Sequence, residues 1–82
     1  MVDLARTYSE LKQYDKAFAL LKKASQTDPK LEAIYRVWAV TLFLTGNYKE
    51  SWDKVKVGKK INDQSIPPDF IKALSEKLPE PK

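Results

Sequence analysis

Apolar residues recur every three or four positions along most of the chain, which is the spacing of one face of an α-helix. The first such segment carries Leu4, Ala5, Tyr8 and Leu11 on one face. The stretches "LKQYD" and "LTGNYKE" interrupt this spacing, and Gly46 in the second stretch is expected to end a helix as a left-handed cap. "TDPK" also ends a helix, because proline disfavours helical backbone in the residue before it. The pattern predicts an all-α chain of about five helices.

The same pattern occurs twice, with a period of 34 residues and no gaps. Small residues align with small ones, and aromatic or large apolar residues align with one another. The aligned pairs are Leu4 with Trp38, Ala5 with Ala39, Tyr8 with Leu42, Tyr14 with Tyr48, Ala17 with Ser51, Phe18 with Trp52, Leu21 with Val55 and Ala24 with Gly58. Each unit is therefore predicted to be two helices, with both units built alike.

The period and these positions resemble the tetratricopeptide repeat, a 34-residue helix–turn–helix unit. The family positions are occupied in the first unit by Leu4, Ala5, Tyr8, Ala17, Leu21 and Pro29, and in the second by Tyr35, Trp38, Ala39, Leu42, Ser51 and Val55. Asp63 stands where the second unit would have proline, and Met1 where the first would have its opening aromatic residue. The resemblance covers roughly residues 1–63 and implies an antiparallel helix-pair solenoid. It divides the chain into a first, N-terminally truncated repeat at 1–31 and a second repeat at 32–65.

The segment "SIPPDFIKALSEKLPEPK" does not continue the repeat, because Lys72 and Glu76 occupy positions where the repeat has large apolar residues. It nevertheless predicts one amphipathic helix, with an apolar stripe of Phe70, Ile71, Ala73, Leu74 and Leu78. We expect a capping helix at 66–78, followed by a tail at 79–82. Two repeats and a cap are fewer than the three or so repeats that such arrays usually need. The chain is therefore expected to be the end of a longer array or to associate with itself.

The composition argues against an active site. The chain has no cysteine and no histidine, so disulfides, thiolate nucleophiles, the usual zinc sites and the common proton-transfer side chain are all absent. We predict no catalytic residue, no cofactor and no metal site, and we do not expect an enzyme. The longest apolar run, "VWAVTLFL", is far shorter than the roughly 20 residues of a membrane span. The N-terminus lacks the pattern of a secretory signal, so the cytoplasm is the default compartment.

The lysine-rich stretch "YKESWDKVKVGKK" raises the possibility of a nucleic-acid surface. Lys49, Lys56 and Lys60 share one flank of the predicted helix, whereas Trp52 points to its core face and Gly58 takes a close-packing position. The net charge of +4 is low for a nucleic-acid-binding domain. We interpret the lysines as a solvated helix face. Binding to nucleic acid or another anionic surface is kept as the last alternative.

The helix "EAIYRVWAVTLFLT" is apolar on the side opposite its core face, and an apolar side of this kind is normally covered. In the tetratricopeptide family, the first helices of successive repeats line a concave groove that receives a partner segment. By this resemblance the partner-binding groove comprises Arg6, Ser9, Arg36, Val40, Phe43 and Leu44. Val40 and Phe43 would supply apolar contact, and the two arginines would pair with a carboxylate of the partner.

The resemblance thus implies a scaffold that binds a protein or peptide partner and performs no chemistry. One alternative is that a second copy of the chain, or upstream repeats, covers Val40, Phe43 and Leu44, which would make the chain a homo-oligomer or part of a longer protein. One variety of the family grips a C-terminal carboxylate with lysine and asparagine at the groove positions. Neither residue type occupies these positions here, so that specificity is not predicted.

Overall fold

Residues 2–80 are described by a computed structural model. They form five α-helices and no strand: α1 (Val2–Glu10), α2 (Tyr14–Thr27), α3 (Glu32–Leu44), α4 (Tyr48–Ile61) and α5 (Pro68–Lys77). α1 packs against α2, and α3 packs against α4, while α3 also contacts both helices of the first pair. The predicted all-α fold of about five helices, stacked as helix pairs, is confirmed.

Two matching turns reverse the chain within the helix pairs. Lys12 after α1 and Gly46 after α3 have left-handed backbone, with φ of 63° and 83°. In each turn the N–H of this residue donates to the carbonyl three residues back, at 3.0 Å for Lys12 and 3.1 Å for Gly46. The next N–H donates to the carbonyl five residues back, at 2.8 Å and 2.9 Å. These bonds satisfy carbonyls that have no partner within the helix, and the predicted cap at Gly46 is confirmed.

The core consists of two clusters that meet at α3. The first cluster contains Ala5, Leu21, Ala24, Ile34, Tyr35 and Val37, and the second contains Ala39, Trp52, Val55, Ile66 and Leu74. Trp52 is almost fully buried, as its alignment with Phe18 predicts. Because α3 contributes residues to both clusters, it fixes the position of the two helix pairs relative to each other.

Gly58 lies where the linker between α4 and α5 crosses α4. A Cβ atom at this position would lie 3.1 Å from Ile66 Cδ1 and 3.3 Å from Ser65 Oγ. The Ser65 hydroxyl donates to the Gly58 carbonyl at 2.9 Å. The close-packing role predicted for Gly58 is confirmed, although the approaching group is the linker rather than a neighbouring helix.

The fifth helix closes one end of the stack. Its proline at the start suits the first turn of a helix, where the missing N–H has no intrahelical role. Leu74 of this helix is completely buried, and the Trp52 indole N–H donates to the carbonyl of Leu78 at 2.7 Å. The start and the end of α5 are therefore both tied to the second helix pair, through Ile66 and Trp52.

Candidate functional site

A small cavity lies between α1, α3 and the linker that leads into α5. Its volume is about 130 Å³, and its lining consists of Arg6, Arg36, Val37, Val40, Thr41 and Pro67. The walls are almost entirely carbon, so Arg6 and Arg36 line the cavity mainly with the aliphatic parts of their side chains. A dry apolar cavity of roughly 150 Å³ accepts a molecule the size of benzene. The cavity therefore has room for one aliphatic side chain of a partner.

The helical register places both arginines at this cavity. Arg36 precedes Val40 by four residues, so the two share one face of α3. Arg6 is the counterpart of Val40 in the 34-residue repeat and faces the cavity from α1. The chain has 15 basic residues, and its only two arginines both line this cavity. Since guanidinium groups bind carboxylates through paired, planar hydrogen bonds, an exposed pair of arginines beside an apolar cavity suits an acidic, aliphatic ligand.

Ser9 lies inside the contact between α1 and α3, and the structure thereby corrects its predicted place in an open groove. It is 4% exposed, and its hydroxyl is hydrogen-bonded to the Thr41 hydroxyl at 3.1 Å. Thr41 also donates to the Val37 carbonyl at 2.8 Å. Ser9 faces the neighbouring first helix, so it fixes the spacing of α1 and α3 and has no surface to offer a partner.

Phe43 also differs from its predicted place in the groove. Its ring is edge-on to Phe70 of α5 and to Tyr48 of α4, with ring centroids 5.5 Å apart in each pair. In the 34-residue register Phe43 corresponds to Ser9, and it meets α5 much as Ser9 meets α3. The side that the sequence leaves uncovered is therefore partly covered by the chain's own last helix.

The remaining predicted residues divide between the cavity and the open surface. Arg6, Arg36 and Val40 come together at the cavity, whereas Leu44 is 52% exposed and does not line it. Val37, Thr41 and Pro67 also line the cavity but were not predicted from the sequence. The first two are buried residues of α3, and they became buried through the contact with α1, which helical spacing within α3 does not reveal. Pro67 reaches the cavity through an irregular linker, for which the sequence carries no positional signal.

A larger cleft of about 330 Å³ lies between α2 and α4, with Trp38 and Leu42 of α3 among its lining residues. Trp38 takes one of the family positions of the second repeat, but its side chain is only partly buried. The Lys54 ammonium lies 3.9 Å from the centre of its ring, a cation–π contact that covers the aromatic face. The Trp38 ring of this cleft thus already has a partner within the chain.

Comparisons with protein families, with curated proteins and with solved structures gave no match to this chain. Within residues 2–80, no three acidic side chains come together in a way that could hold a metal ion. No helix in the same range is long and apolar enough to cross a membrane. Lys49, Lys56 and Lys60 are exposed on α4, as predicted. Among these surfaces, the cavity with two arginines has the most specific chemistry.

Proposed function

We propose that this chain is a protein-interaction scaffold of tetratricopeptide-like architecture, which binds an extended segment of a partner protein across α1 and α3. The observation that supports the proposal is the placement of Arg6 and Arg36 around one apolar cavity. The expected ligand segment carries an aliphatic side chain next to a carboxylate.

The two parts of the site contribute differently to binding. Full burial of one aliphatic side chain contributes about 1.5–3 kcal/mol. Exposed ion pairs contribute roughly 0.2–1 kcal/mol each, so the arginines mainly set the orientation and the preference for acidic segments. After the entropic cost of association, a single segment is expected to bind weakly, with a dissociation constant on the order of 0.1–1 mM.

Rigidity of the groove favours such binding because little of the protein has to be ordered. The buried hydroxyl pair of Ser9 and Thr41 and the shared core at α3 hold the two first helices at a fixed distance. On the other side of α3, the contact between Phe43 and Phe70 packs α3 against α5. Partner capture would therefore proceed by shape and burial, without chemistry at the site.

The proposal can be tested with a capped peptide of sequence Gly-Asp-Leu-Asp-Gly, titrated into the isotopically labelled chain and followed by amide chemical shifts. We expect shifts at α1 and α3, and at least a threefold loss of affinity in Arg36→Glu and in Arg6→Glu. Lys49→Glu is the matched control, because it makes the same change of charge at an exposed position on α4.

Two peptide controls separate the two contributions. Replacing leucine by alanine tests the cavity, and replacing both aspartates by asparagine tests the arginines. Equal affinity for all three peptides, or an equal effect of Lys49→Glu and Arg36→Glu, would contradict the proposed groove.

A further inference from the structure

The side of α1 that faces away from the rest of the molecule carries two parallel rows of side chains. Leu4 and Leu11 form one row and are 47% and 61% exposed. Asp3 and Glu10 form the second row and are also exposed. The Leu11 N–H donates to the Thr7 carbonyl at 3.0 Å, so the helical turn continues to this residue. In each row the residues are seven apart, which is about 10 Å along a helix.

The second helix pair shows what covers the equivalent side of α3. In the 34-residue register, Asp3 and Thr7 of α1 correspond to Val37 and Thr41 of α3. Both α3 residues are buried, and Thr41 meets Ser9 of α1. A helix seated on α1 in the way that α1 sits on α3 would bury the carboxylate of Asp3, which is costly unless the incoming helix brings a positive charge. The exposed leucines thus favour covering this face. The acidic row disfavours an apolar helix there, because such a helix would leave the carboxylates without a positive partner.

We infer that the outer α1 face, defined by Asp3, Leu4, Thr7, Glu10 and Leu11, docks a basic amphipathic helix of a partner protein. The partner helix would carry an apolar row at seven-residue spacing against the leucines and lysine or arginine against the acidic row. In coiled coils, charged residues beside the apolar contact residues likewise determine which helix binds, because they form ion pairs with the partner helix. This surface adjoins the arginine-lined cavity, because Arg6 follows Asp3 by three residues and precedes Glu10 by four. Its acidic row and its exposed leucines nevertheless give it the opposite charge preference.

In a second copy of the chain, α2 and α4 carry lysines at seven-residue spacing, but neither matches this face. On α2 these are Lys16 and Lys23, and the adjacent rows are Asp15 with Lys22 and the buried Ala17 with Ala24. Lys49 and Lys56 have the seven-residue spacing on α4, but the adjacent row consists of Glu50 and Val57. That face would place a carboxylate against one of the leucines. The charge pattern therefore favours a different protein as the occupant.

The test uses two synthetic helical peptides of 21 residues, with leucine at every seventh position and alanine facing Thr7. One peptide has lysine flanking the leucines, and the other has glutamate at the same positions. With the full chain at physiological salt, we expect the lysine peptide to shift the α1 amides and to bind at least tenfold more tightly than the glutamate peptide. Leu4→Ser/Leu11→Ser should weaken its binding at least tenfold, whereas Leu31→Ser/Leu44→Ser, which alters two other exposed leucines, should not.

Charge variants complete the test. Asp3→Asn/Glu10→Gln should remove the preference for the lysine peptide, and Asp3→Lys/Glu10→Lys should reverse it. Glu50→Lys/Asp53→Lys is the control for net charge and should leave the preference intact. Equal binding of the two peptides, or insensitivity to the Leu4 and Leu11 substitutions, overturns the inference. Sedimentation of a dimer that Leu11→Glu dissociates also overturns it, since a second copy would then be the occupant.

Discussion

Lys12 and Gly46 occupy the same place in the two turns and share the left-handed backbone, but only one of them is glycine. Left-handed backbone costs a residue with a side chain roughly 1 kcal/mol, which glycine avoids. The first turn therefore retains strain that the second turn does not have.

Replacing Lys12 by glycine is expected to stabilise the chain by about 0.5–1 kcal/mol, because the steric cost at φ 63° disappears. The free energy of unfolding in urea, followed by far-ultraviolet circular dichroism, measures the change. Lys12→Ala is the matched control and should bring no comparable gain, since alanine keeps the Cβ. An equal gain from both substitutions would show that the lysine side chain, and not its backbone, is the source of the strain.

At the residue scale, the sequence predicts a backbone conformation where the residue type itself favours that conformation. It does not predict conformations or contacts that depend on how the helices pack. The Gly46-Asn47 dipeptide predicts a left-handed helix cap, whereas the residue type of Lys12 does not. Ser9 and Phe43 are 34 residues apart and therefore hold the same position in the two repeats. What covers that position depends on where the next helix lies, and the spacing of residues within one helix does not contain this information.

The linker at residues 62–67 determines how α5 meets α4. Ser65 and Ile66 are buried within it, and both approach Gly58. The apolar stripe of α5 was predictable from helical periodicity, but the path of the linker was not, because it has no repeating pattern. Pro67 reaches the proposed groove only through this path.

Gly58→Ala tests how tightly the linker packs. Alanine favours the helix by about 1 kcal/mol over glycine, whereas overpacking costs roughly 1–3 kcal/mol, so the variant is expected to be neutral or destabilised by up to about 2 kcal/mol. Ile66→Val removes Cδ1, the nearest atom to the new methyl group at 3.1 Å. In that background the Gly58→Ala substitution should be more favourable by at least about 0.5 kcal/mol.

A double-mutant cycle from urea unfolding measures this coupling. Ile34→Val provides the control, because Ile34 belongs to the other core cluster and its effect should add to that of Gly58→Ala. If the effects of Gly58→Ala and Ile66→Val on the free energy of unfolding were also additive, the linker would be shown to move aside without cost.

The described residues have the size of an ordinary globular domain. Their radius of gyration is 11.7 Å. A globular domain of this length is expected at about 11.7 Å, so the two helix pairs and α5 pack into one body. The sequence repeat predicted the order and pairing of the helices, and the short array limits the proposed groove to two first helices and one linker.

Leu74→Ala is expected to destabilise the whole chain and not α5 alone, because Leu74 lies in the cluster shared by α3, α4 and α5. Truncation of a buried leucine costs about 2–5 kcal/mol. The total stability of a domain of this size is roughly 4–12 kcal/mol, so the loss is a large fraction of it. Amide hydrogen exchange should show less protection in α1 to α4 as well as in α5.

Leu44→Ala is the control for this prediction, since Leu44 is largely exposed and its truncation should change stability by no more than about 0.5 kcal/mol. Loss of protection confined to α5 would show that the last helix unfolds independently of the two pairs.

The hydrogen bond between the Trp52 indole and the Leu78 carbonyl gives the molecule a built-in optical reporter. The chain has two tryptophans, and Trp38 lies in the cleft between α2 and α4 beneath a lysine. In a Trp38→Phe variant, all tryptophan emission would come from beneath the end of α5. Detachment of that helix would then register as a red shift and as access to a soluble quencher, without any attached dye. Opening of α5 could thus be followed in the same cuvette as ligand binding at the arginine-lined cavity.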